Sequence, residues 1–126
     1  MAGDSPTPTG LVRLLLRRGD DVFCVPREDG RIDLPTRAVP AADHDGSLTA
    51  RRFASEVLAS PAVIEGVVGY VRNVVPEPTS DYPWPSPRAH FTVWAVRGEP
   101  AVDGQWVSTG VDSPLRDRHW FALLGA

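Results

Sequence analysis

The residues whose types suit chemistry concentrate in one stretch, Leu34 to Ser60, with His90 and Cys24 outside it. Arg37, Asp43 and Asp45 stand on a polar segment, and Arg51, Arg52 and Glu56 follow on a run of helical length. Guanidinium groups match phosphate oxygens through directed N–H donors, so Arg37, Arg51 and Arg52 form a candidate anion patch that meets phosphate directly. Positions 52 and 56 are four apart, which places them on one helix face, where Arg52 pairs with or repels what Glu56 attracts. The structural alternatives are plain. Glu56 can be the ion-pair partner of Arg51 or Arg52, Asp43 a loop-capping acid, and the three arginines solvent-facing. His90 carries an imidazole and is a candidate general base, against the alternative of a hydrogen-bonded imidazole at a strand end. Cys24 sits in an apolar run with no histidine beside it, which favours a small buried thiol over a nucleophile.

The elements that must position these groups are mostly strands. Leu11 to Arg17 and Val22 to Pro26 are apolar runs around Arg18-Gly19-Asp20-Asp21, which predicts a hairpin. Asp29-Gly30 marks a turn, Ile32 to Pro35 a short extended segment, and Thr36 to Gly46 a loop. Ser47 is the expected N-cap of a helix over Leu48 to Ala59, stopped by Pro61. Ala50, Phe53, Ala54, Val57 and Leu58 give that helix an apolar stripe to lay on a sheet. Val63 to Val75, β-branched with two glycines, reads as a long bent strand. Residues 76–87, PEPTSDYPWPSP, carry five prolines in twelve positions and read as a loop. Tyr82 and Trp84 within it either cover a ligand pocket or plug an edge of the core. His90 to Val96 is apolar on both alternating faces and reads as a central strand. Gln105 to Ser108 is a short strand, and Pro114 to Leu124 a terminal helix.

Composition sets the bounds. The chain has 126 residues, enough for one domain, and 42% apolar with 23% charged residues is globular composition. We expect a flexible N-terminus over residues 1–9 and a single domain over 10–126. An active site must then lie within that domain or at a subunit contact, as in a homodimer. Thirteen basic residues among 16 acidic ones, net -3, provide no broad field for a nucleic-acid backbone. One cysteine rules out an intrachain disulfide, and three separated histidines lack zinc-site spacing. No apolar run reaches membrane-spanning length and the start lacks signal-peptide character, so a cytoplasmic protein is expected.

The order of elements and the segment LPTRAVPAADHDGSLTARRFASEVLA resemble the Nudix hydrolase family. Its box runs glycine, five residues, glutamate, seven residues, Arg-Glu, an apolar residue, any residue, Glu-Glu, any residue, glycine and an apolar residue, usually after Leu-Pro-Gly. Leu34-Pro35 stands in the matching place and the segment lies on the pattern without a gap. Arg51, Phe53, Glu56 and Ala59 fit it. Asp43 takes the place of the first glutamate, Arg37 of the glycine, Arg52 of the glutamate after the arginine, Ser55 of the first of the glutamate pair, and Leu58 of the second glycine.

The resemblance implies an α+β fold, a mixed β-sheet with flanking helices in an α/β/α sandwich. It also implies Mg2+ or Mn2+ on helix acids, bridging a diphosphate and generating a nucleophilic water, because hard divalent ions favour carboxylate oxygens. Glu56 and Asp43 are then the metal ligands, with Arg51 and His90 as further catalytic residues and Arg37, Arg52, Tyr82 and Trp84 lining the ligand site. Glu65, Glu77 and Asp81 are further acids in a region from which the family draws extra ligands. Arg52 and Ser55 remove two of the box carboxylates. Three readings follow: a Nudix-type hydrolase of a nucleoside diphosphate linked to another group, a catalytically inactive module binding a nucleotide or phosphate or a protein partner, and a non-hydrolytic enzyme reusing the pocket.

Overall fold

The computed structural model describes residues 8–74 and 88–125. Its strands are β1 (Thr9–Arg18), β2 (Asp21–Pro26), β3 (Ile32–Asp33), β4 (Thr36–Ala38), β5 (Val63–Val74), β6 (Arg88–Arg97) and β7 (Gln105–Ser108). One α-helix, α1 (Ser47–Val57), lies between β4 and β5, giving a mixed α+β domain. The seven strands form one open sheet, with the path β3-β2-β1-β6-β5 and with β4 on β1 and β7 on β2.

β1 organises the sheet because each part of it has a different neighbour. Along one edge it runs parallel to β6, from Thr9 opposite His90 to Leu16 opposite Val96. Along the other, Leu11 to Arg13 pair with β4, while Arg17 and Arg18 close the expected hairpin on β2. β6 is therefore covered by β1 and by β5 on its two edges. Thr92 and Val93 are both fully buried, as strand alternation between two packed faces requires. β5 bends through register shifts at Ile64/Gly66 and Val67/Gly69, the bulges that its two internal glycines permit.

The sheet separates two apolar clusters. Val12, Leu14 and Leu16 of β1, with Trp94 and Val96, meet Ala50, Phe53, Ala54 and Val57 of α1. The opposite face holds Leu15, Cys24, Leu34 and Val93 against Leu115 and Trp120. That second layer is not the terminal helix expected over Pro114 to Leu124. Turns are closed by Arg116, Arg118 and Phe121 N–H groups, and only a short 3-10 helix (Phe121–Gly125) follows. The anchors Leu115 and Trp120 are five apart, and the chain is held by them individually, with Trp120 hydrogen-bonded across to Asp33. Two boundaries also differ. Thr36 to Ala38 is a strand, because its backbone completes the free edge of β1, and Thr9, expected outside the domain, is buried at the start of β1.

Candidate functional site

α1 begins differently from the capping expected at Ser47. The N-cap is Gly46, in the left-handed region with φ 75°, and it makes no side-chain capping bond. A Cβ there would stand 2.9 Å from Thr9 Cγ2 and 3.0 Å from Val12 Cγ1, so the residue must be glycine on conformation and on space. The free N–H groups of the first turn are taken instead by two loop acids. Asp43 accepts from Thr49 N at 2.7 Å and Leu48 N at 3.4 Å, and Asp45 accepts from Ser47 N at 2.9 Å. Both carboxylates sit where the helix dipole favours negative charge. The Ser47 N–H, with a contribution from Arg51, holds the Asp45 carboxyl below its ordinary range.

The expected stripe is buried, and β4 brings Arg37 over it. Opposite Val12 in register, Arg37 stacks its guanidinium 4.3 Å from the centroid of the Phe53 ring and forms an ion pair with Glu56. Glu56 was expected to pair with Arg51 or Arg52. Both of those are exposed on the outer flank of the helix, and the partner comes from another element, 19 positions earlier. Ser55 turns its hydroxyl back to the Arg52 carbonyl at 2.7 Å.

The remaining candidates are dispersed. His90 is buried, with Nδ1 3.1 Å from the Pro8 carbonyl oxygen, which makes Nδ1 the donor, and its ring meets Tyr70 edge-on at 5.2 Å. Glu65 pairs with Arg97 at 3.3 Å. Cys24 is fully buried, and burial pushes its thiol up to about 12, which makes it a poor nucleophile. Tyr82, Trp84, Glu77 and Asp81 lie outside the described residues. Among the described residues no three acidic, histidine or cysteine side chains converge as a metal-binding group. No described helix is long and apolar enough to cross a membrane.

No protein-family model matches the chain. No curated protein matches it significantly. The structure brings together Arg37, Phe53 and Glu56 on one surface and Asp43 with Asp45 at the start of α1. What this arrangement does well is structural: it neutralises the helix carboxylate and stabilises the first turn. A divalent ion here would compete with the Arg37 guanidinium at Glu56 and with backbone N–H groups at Asp43, so these two residues, as arranged, fit the ion poorly.

Proposed function

We propose that the chain is a non-hydrolytic module on a Nudix-like scaffold that binds a small phosphate-bearing molecule. The observation that carries this reading is the ion pair of Glu56 with Arg37. The one box carboxylate left on the helix is matched by a cation that the protein itself supplies, in the place where the family mechanism needs a magnesium or manganese ion. Asp43, the other proposed ligand, supports the reading through its hydrogen bonds to Leu48 and Thr49. Arg51 and Arg52, exposed on α1, offer guanidinium donors to an anion. His90, held on the Pro8 carbonyl, gives no support to a proton-transfer enzyme built on its ring.

The test is turnover against binding. Purified protein is offered a panel of nucleoside diphosphate derivatives with and without magnesium or manganese, and phosphate release is followed after coupling to a phosphatase. The expected outcome is no metal-dependent release, with thermal stabilisation by phosphate-bearing members of the panel. Metal-dependent turnover that vanishes in Glu56→Gln would overturn the proposal and restore the hydrolase reading.

A further inference from the structure

On the sheet face away from α1 lies a cavity of about 260 Å³, lined by Arg13, Arg27, Arg31 and Arg118 against the carboxylates of Asp33 and Asp117. All of the chain's 13 basic residues are arginine, and four of them meet here although they are spread over more than a hundred positions.

The carboxylates do not satisfy the guanidinium groups. Asp33 Oδ1 accepts from Leu34 N at 2.8 Å and from Trp120 Nε1 at 2.8 Å, and Oδ2 takes Arg27 at 3.5 Å. Arg118 uses Nη2 on the Ile32 carbonyl at 2.8 Å, while its Nε is buried without an acceptor among the described residues. Arg13 is the most exposed to the consequence. It projects from β1 toward the cavity and lies 5.7 Å from the centroid of the Phe91 ring, and its Nε and Nη1 are buried with no hydrogen-bond partner among the described residues. Burial disfavours its charged form, with Asp33 opposing. Buried donors without acceptors bear a desolvation penalty, which Asp33 and the Phe91 ring offset only through space.

We infer that this cavity is an anion-binding site whose ligand is a tetrahedral oxyanion, the phosphate group of a small ester or free phosphate. A carboxylate has two oxygens to share among the donors of Arg13, Arg118 and Arg31. A phosphate has three or four, enough for donors delivered by different elements. The volume lies just below the range of about 300–1,000 Å³ usual for ligand pockets, so it takes a phosphate with a short attached group and leaves a larger body outside. The inference goes beyond the reading of α1 and does not rest on it, because the two surfaces are on opposite faces of the sheet.

The experiment titrates the protein with inorganic phosphate and with glycerol 3-phosphate, against sodium chloride at equal ionic strength, following thermal unfolding and the arginine Nε–H resonances. Both phosphates are expected to stabilise the protein beyond chloride and to move the Nε–H signals of Arg13 and Arg118. Tighter binding of the ester identifies it as the source, and equal or weaker binding identifies free phosphate. Arg13→Met is expected to raise the phosphate Kd at least about tenfold while the free variant unfolds no earlier than the parent, since two buried donors without acceptors are removed. Arg97→Met, on the ion pair with Glu65, is the control expected to keep full binding. Retained binding in Arg13→Met, or phosphate shifts confined to exposed arginines, would overturn the site. Should Arg13→Met fail to fold, the resonance titration of the parent chain decides alone. Phosphate shifts confined to Arg37, Arg51 and Arg52 would place binding on the α1 surface instead, so the resonances separate failure of this cavity from failure of the α1 proposal.

Discussion

The indole Nε1 of Trp120 donates to Oδ1 of Asp33 at 2.8 Å, joining residues 87 positions apart inside the protein. Both are buried, and the same oxygen accepts the Leu34 N–H. A single carboxylate thus fastens the C-terminal segment to the β2-β3 ribbon, in a layer where a helix was expected.

Replacing Trp120 by Phe removes the donor and leaves the space of the second indole ring empty, so a cavity cost adds to that of the bond. Loss of a buried bond to a charged acceptor is expected to cost about 1.5–3 kcal/mol, read as a lower midpoint in urea denaturation. An unchanged midpoint would mean that Asp33 is satisfied without the indole.

Asp43 is expected to behave as a helix cap. Asp43→Ala leaves the N–H groups of Leu48 and Thr49 without their acceptor and should destabilise the fold by about 1–2 kcal/mol, with no change in any response to magnesium. A magnesium-dependent shift in thermal unfolding that the substitution abolishes would return Asp43 to a ligand role.

Glu56→Gln is expected to be mild. The pair with Arg37 is roughly half exposed, and ion pairs of that kind contribute about 0–1 kcal/mol. Raising salt should reproduce most of the effect in the parent protein, whereas the stacking of Arg37 on Phe53 should survive it. A loss well above that range in urea denaturation would show that the pair anchors β4 to α1.

Alkaline conditions should weaken the fold through Cys24. Its thiol is raised from an ordinary 9.0 to about 12, so the unfolded chain releases this proton first as pH rises. The contribution is therefore fully present below pH 9 and is lost between about 9 and 12. Native protein at pH 8 should leave the thiol unmodified by an aromatic disulfide reagent, with full modification in denaturant. Rapid reaction of the native protein would contradict the burial.

The hairpin, the stripe of α1 and the strands β5, β6 and β7 were legible because each depends on local signals: a turn between apolar runs, helical spacing, and β-branched alternation. Thr36 to Ala38 escaped because its strand character comes from the free edge of β1 and from nothing within TRA itself. Pro114 to Leu124 misled because Leu115 and Trp120 are apolar anchors whose holding partners, Asp33 among them, lie in distant elements. The site was less legible than the fold. Spacing suggested Arg52 for Glu56, whereas a strand pairing delivered Arg37. Arg13 and Arg118 carry no motif at all, and only the sheet brings them to one cavity.

The parallel pairing of β1 with β6 sets the order in which this protein can be assembled. Its partners are about 80 positions apart, from Thr9 with His90 to Leu16 with Val96, so closing the centre of the sheet requires a long loop to be ordered first. The hairpin of β1 and β2 can form early, but the edge of β1 that β6 covers must wait until residues 88–97 have been synthesised. A chain emerging N-terminus first therefore carries an apolar strand with one open edge through most of its synthesis, a template for pairing with a neighbouring nascent chain. Slow, concentration-sensitive refolding follows from this one strand pair.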